Sequence, residues 1–211
     1  MRLPLGLWRF IGIHPAHRHV QAKRLADDFI PGVWLRSAEK RMIRERLEQV
    51  AVASEEAGVL LSLVLPGILE SGEVSPASLM LRWLSTSPER VSIEPAKKLH
   101  EGRSPESYMS SSGVEYVLVE LERPTGPLAD RRIAYHVEAY LPIIGTTWLL
   151  IISATVPSRD MVDDLRNIVT RMVDSVRAYP EDIECPVTQV KQLHEVGDAY
   201  FTHDSAQIAD S

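Results

Sequence analysis

The sequence predicts an α+β domain: an antiparallel sheet of five to six strands with two to three helices packed on it. Three observations carry this. Residues 131–141 and 147–156 are period-two apolar runs joined by a Pro142-Ile143-Ile144-Gly145 turn, the signature of paired antiparallel strands. Ser158 then opens a segment in which Met161, Leu165, Ile168, Val169, Met172 and Val176 recur at helical spacing. Upstream, a second amphipathic segment at 37–57 precedes the apolar run 59–65.

The organisation read along the chain is a leader, one domain and a tail. Residues 1–28 have no sustained periodicity and are expected as an irregular leader. They contain His14, His17 and His19, but no Cys or carboxylate stands at i+3 or i+4 and Pro15 interrupts them, so no metal site is predicted. Residues 29–179 are expected to form a single α+β domain. Pro31-Gly32 precedes a short strand in which Trp34 is expected to face the core. Ser37 is the expected N-cap of a helix that stops at Gly58, with Met42, Ile43, Leu47, Val50, Ala51 and Ser54 on its buried side.

The run 59–65, bounded by Gly58 and Pro66-Gly67, suits a strand covered on both faces, and 77–84 should pair with it. Pro95 limits the next helical segment to a short helix from about Glu94, or kinks a longer one starting near Ser87. Residues 103–113 form a Ser-rich loop without the Gly-x-Ser-x-Gly elbow of a serine nucleophile. A strand at 114–121, a turn at 123–127 and the 131–156 hairpin complete a meander, on which the helix opened by Ser158 must pack.

Composition bounds the function. The chain has 211 residues, 45% of them hydrophobic, enough for one ordinary core. Its longest uninterrupted apolar run, Trp148 to Ile152, is strand length, so no membrane span is expected. Arg9 cuts the amino-terminal apolar run short of a signal-peptide core, so export is not expected and a cytoplasmic location is. The single cysteine, Cys185, agrees with a reducing compartment. Residues 1–179 carry 22 basic and 22 acidic side chains, whereas 180–211 carry Lys191 against seven acidic residues. The last segment therefore reads as an acidic, partly disordered tail.

Chemistry is sparse. His136, Glu138 and Tyr140 share one strand face, and are the only candidate binding or acid–base cluster; polar residues alternating with apolar ones are also what any half-exposed strand shows. Phosphate loops and dinucleotide fingerprints are absent, no cofactor is expected, and nucleic acid is disfavoured by the neutral body.

The corner Tyr140-Leu141-Pro142-Ile143-Ile144-Gly145, the strand end Ser153-Ala154-Thr155-Val156-Pro157 and the helix closing on Val176-Arg177-Ala178-Tyr179 give a pattern that resembles small bacterial, specifically actinobacterial, proteins of the PsbP-like α/β sandwich group. The resemblance spans roughly residues 29–179. It implies an antiparallel sheet with packed helices, no catalytic set, and a binding or assembly role, in some cases beside secretion systems. The expected function is a non-enzymatic protein-binding or accessory module whose partner is another protein or a second copy. The alternative is a small-molecule-binding protein or hydrolase built on His136 and Glu138.

Overall fold

A computed structural model describes residues 8–29, 32, 34–66, 77–88, 90–103, 105–125 and 131–177. The acidic tail expected at 180–211 lies outside the described residues. One seven-stranded antiparallel sheet organises the α+β fold, in the order β1-β2-β3-β7-β6-β5-β4. Its strands are β1 (Arg9–Phe10), β2 (Val59–Leu65), β3 (Ala77–Ser85), β4 (Glu106–Met109), β5 (Glu115–Thr125), β6 (Arg132–Pro142) and β7 (Trp148–Val156). The helices are α1 (Arg18–Asp27), α2 (Ser37–Glu56), α3 (Glu94–Leu99) and α4 (Val162–Ser175). Among the described residues, seven strands and four helices stand where five to six and two to three are expected, and the short strand expected after Pro31-Gly32 does not form at 34–36. The additions are the two short edge strands and α1, elements too small or too polar to leave a periodic signature.

The meander forms as its alternation requires. The β6–β7 hairpin pairs Tyr140 with Ile151 and Tyr135 with Val156, and Gly145 takes φ +86 at its tip, a conformation that favours glycine. Thr146 holds the same turn by donating from Oγ1 to the Ile143 carbonyl at 2.7 Å and accepting from the Trp148 N–H at 3.0 Å. β5 continues through Arg123 and Pro124, pairing Arg123 with Ala134 and Pro124 with Ile133, so residues 123–125 of the expected 123–127 turn are strand, and 126–127 lie outside the described residues.

Helix α4 covers one face of the sheet. Val162, Leu165, Ile168, Val169 and Val173 are buried against Val137, Ala139, Ile152 and Val156. Five such side chains, at roughly 1.5 to 3 kcal/mol each, contribute on the order of 10 kcal/mol before conformational entropy is subtracted. Ser158 precedes a 3-10 turn, Arg159–Met161, and the α-helix follows it. The Ser-rich loop holds the other end of α4: Ser111 donates its backbone N–H to the Asp174 carboxylate at 2.7 Å.

The opposite face is covered in two places. Helix α3 runs across the β5–β7 region, where Ile93 and Ala96 pack on Val117, Val119, Leu121, Tyr140, Leu149 and Ile151. Pro95 sits in its first turn, and the helix is the short form starting at Glu94. At the β1–β2 end, α1 and α2 enclose Ile11, Phe29, Leu35, Ile43, Leu47, Ala51 and Val64. The leader is thus structured from Trp8 to Asp28 rather than irregular. Helix α1 buries only Ala22 and Ala26, small residues that give little apolar contrast in sequence.

Three expectations about α2 and its approach are corrected. Trp34 does not face the core; it is 84% exposed. Met42 is 57% exposed, because Ile43, Leu47, Ala51 and Ser54 already fill the inward stripe and a neighbouring residue lies 100° around the helix. Ser37 is the first helical residue rather than the cap; the Arg36 N–H is satisfied by Glu39 Oε2 at 2.6 Å. Gly58, at φ +64, ends α2 and turns the chain into β2.

Leu165 is wholly buried. Leu165→Ala should destabilise the protein by about 2 to 5 kcal/mol in urea unfolding, and a loss under 1 kcal/mol would show that α4 is a loosely held appendage.

Candidate functional site

Face-sharing along β6 places Ala134, His136, Glu138 and Tyr140 on the side away from α4. Across β5 the same side carries Val117, Val119, Leu121 and Arg123, since Tyr140 pairs with Val117 and Glu138 with Val119. Helix α3 ends directly above them, delivering His100. The result is a buried polar chain: Glu138, Tyr140 and His100 are 4%, 1% and 3% exposed.

The hydrogen bonds run in one sense. Tyr140 donates its hydroxyl proton to Glu138 Oε2 at 2.6 Å, and Arg123 donates to Glu138 Oε1 at 3.3 Å from the solvent side. His100 Nε2 lies 2.7 Å from the Tyr140 oxygen. Because that hydroxyl has given its one proton to the carboxylate, its oxygen is an acceptor, and His100 carries hydrogen on Nε2. His100 Nδ1 is then a bare acceptor, buried without a partner.

The electrostatics agree with that assignment. Burial, then the hydrogen bond to Glu138, pushes the Tyr140 phenol far above its ordinary range, so it stays protonated. Burial depresses the His100 imidazole; the Glu138 charge opposes this and Arg103 and Arg123 reinforce it. Charging His100 would also place a second N–H, on Nδ1, against no acceptor.

Of the three residues predicted from sequence, Glu138 and Tyr140 are brought into direct contact. His136 lies further along the same face, with its Nδ1 2.8 Å from Thr155 Oγ1 on β7. Its imidazole is depressed by burial and by Arg123. His100 and Arg123 were missed. Arg123 was legible, since Val117, Val119, Leu121 and Arg123 continue one period-two series had the strand been extended past Leu121. His100 has no local signal, being 40 residues from Tyr140.

Access to this chain is poor. A polar cleft of about 400 Å³, lined by Glu120, Glu122, Tyr135, Arg159 and Asp163, lies on the α4 side of the sheet and borders β6 at His136 from the face opposite the one that carries the His136, Glu138 and Tyr140 side chains. A second, of about 260 Å³ and mainly apolar, lies between Val114, Leu141, Ile143 and Val176. Glu138 already accepts from Arg123 and Tyr140, so the arrangement chiefly fastens α3 to the sheet. His14 and His17 stack at 5.5 Å while His19 pairs with Glu48 at 2.8 Å. Among the described residues no group of three or more His, Cys, Asp or Glu side chains converges on a common point that could hold a metal ion.

The other distinctive surface is the outside of α2. Ala38, Met42, Glu45, Gln49, Val52 and Glu56 follow each other at alternating spacings of four and three; all are exposed but Val52, which is half-buried. Trp34, also exposed, lies three residues before the start of α2. Comparison with known proteins finds no family model that matches the chain and no curated protein similar to it. No helix among the described residues is long and apolar enough to cross a membrane.

Tyr140→Phe leaves a Glu138 oxygen and the His100 N–H unpaired, and should cost about 2 to 4 kcal/mol of unfolding free energy, with faster amide exchange in α3; unchanged exchange there would mean that the network does not hold the helix. Both depressed histidines bind a proton more readily unfolded than folded, so stability should fall with acidification from about pH 6.5 downward. Urea midpoints measured across that range should decline less steeply in His100→Gln, and an identical slope would remove His100 from the linkage.

Proposed function

We propose that this chain is a non-enzymatic protein-binding or assembly module. The observation that carries the reading is Trp34, an indole 84% exposed three residues before the start of α2, with Met42 on that helix itself 57% exposed. Exposed tryptophan is uncommon on a surface with no partner and enriched at interface hot spots. The buried Arg123–Glu138–Tyr140–His100 chain supports it from the other side, because the Glu138 carboxylate and the Tyr140 oxygen already have partners within the fold. The PsbP-like kinship, a cytoplasmic location and an accessory role beside a bacterial secretion system belong to the same proposal, and rest on the sequence resemblance.

A second reading is favoured by one observation: His136 is half-buried on the β6 face that also carries Glu138, and is partnered there by Thr155. There the protein would be a binder or hydrolase of a small polar molecule, with His136 as the titrating group and Glu138 behind it.

A photoreactive amino acid placed at position 34, with a second at exposed Lys98 as control, separates the two. Position 34 should crosslink to a discrete protein species in cells while position 98 does not. Absence of any crosslink at 34, together with ligand-induced shifts of the His136 imidazole resonance, would replace the first reading by the second.

A further inference from the structure

The outward row of α2 lies opposite its buried stripe of Ile43, Leu47, Ala51 and Ser54. It consists of Ala38, Met42, Glu45, Gln49, Val52 and Glu56, with exposed Met42 and half-buried Val52 as its larger apolar members. Helix α1 does not cover it. Its polar contacts with α2, Asp27 with Lys40 at 3.7 Å, His19 with Glu48 at 2.8 Å and Arg18 with Glu55 at 2.9 Å, place it on the adjacent flank.

We infer that α2 pairs antiparallel with α2 of a second copy of this chain, about a twofold axis between Glu45 and Gln49. The inference rests on the protein-binding reading and names its partner. The choice of a second copy comes from the self-complementarity of the row. Such an axis sets Met42 against Val52 of the other copy, Glu45 against Gln49, and Ala38 against Glu56. Arg36 and Arg41 lie in the amino-terminal part of α2 and its approach, and Glu55 and Glu56 at its carboxy-terminal end. Antiparallel pairing brings Arg41 within a turn of Glu56 of the second copy and opposes the two helix dipoles, whereas parallel pairing sets Arg41 against Arg41 and Glu56 against Glu56.

The ends fit as well. Helix α2 has 20 residues and spans about 30 Å, so Trp34, just before its start, reaches the closing turn of the other copy. That turn is Ala57 and Gly58, both exposed, with open space beyond the Gly58 α-carbon. An indole can lie flat there without displacing a side chain. The Glu45–Gln49 contact at the axis is polar on both sides, and a polar pair in a seam fixes a single register. Two tryptophans at roughly 150 to 250 Å² each, with two Met42–Val52 contacts, put the interface below the roughly 1,200 Å² of stable complexes, in the range of weak and transient ones. The association is therefore concentration-dependent.

Sedimentation equilibrium on the full chain, from micromolar to submillimolar concentration, tests this. The wild-type chain should pass from monomer to dimer. Arg41→Glu or Glu56→Arg alone should raise the dissociation constant about tenfold or more, and the double reversal should restore it. Each position is exposed, and circular dichroism verifies that the fold is kept. In a Cys185→Ser background, a Met42→Cys chain mixed with a Val52→Cys chain should form a disulfide dimer faster than either alone. A strictly monomeric wild-type chain, or a dimer indifferent to both reversals, overturns the inference. A monomer that still crosslinks from position 34 to a different protein refutes self-pairing alone and leaves the protein-binding reading standing.

Discussion

Burial of β6 and β7 on both faces is the constraint on which the rest of the structure depends. Helix α4 closes one side with Leu165, Val169 and Val173, and α3 closes part of the other with Ile93 and Ala96. A strand buried on both sides can carry only apolar residues or polar ones that are satisfied inside the fold. Val137, Ala139, Ile151 and Ile152 obey the first rule. Glu138 obeys the second, and its carboxylate obliges Arg123, Tyr140 and, through Tyr140, His100 to converge. A single charged residue in the middle of the sheet thus sets the position of a six-residue helix that has little apolar surface to hold it.

Legibility in the sequence followed the number of consecutive residues that obeyed one period. The β6–β7 hairpin and α4 were readable because ten or more residues in a row keep a strand or helix pattern and their turn carries Pro142 and Gly145. Helix α2 was readable for the same reason, but the side chains on it were only partly so. Met42 and Ile43 are adjacent, and both cannot lie in one narrow stripe; the tighter series Ile43, Leu47, Ala51, Ser54 decides between them. Helix α1 escaped because alanines carry its packing. Trp34 was misplaced by treating size and apolarity as sufficient for burial, when no alternation flanks it to say which way it points.

The candidate site was half legible for a related reason. Period two places His136, Glu138 and Tyr140 on one face, and that much needs no tertiary structure. It cannot say whether the face is wet or dry. That depends on α3, which reaches the sheet through the long β3–β4 connection, and nothing within a few residues of His100 announces Tyr140. Arg123 was obscured by the following proline, read as a turn signal. Pro124 lies inside β5, opposite Ile133. A proline near the end of a strand removes only one donor, and the ladder continues past it.

The contrast between the two surfaces is a contrast in what remains unsatisfied. Around Glu138 nearly every donor and acceptor has a partner, so admitting a substrate means breaking bonds worth about 1 to 3 kcal/mol each before any new one forms. Along α2 nothing has to break. An exposed indole and a neighbouring methionine are hydrated in the free chain, and covering about 200 Å² of indole alone returns roughly 5 kcal/mol before the cost of association. The direction of easiest free-energy gain is therefore outward from α2, not inward toward Glu138. The polar face is where the fold has spent its hydrogen bonds, and the helical face is where it still has surface to give.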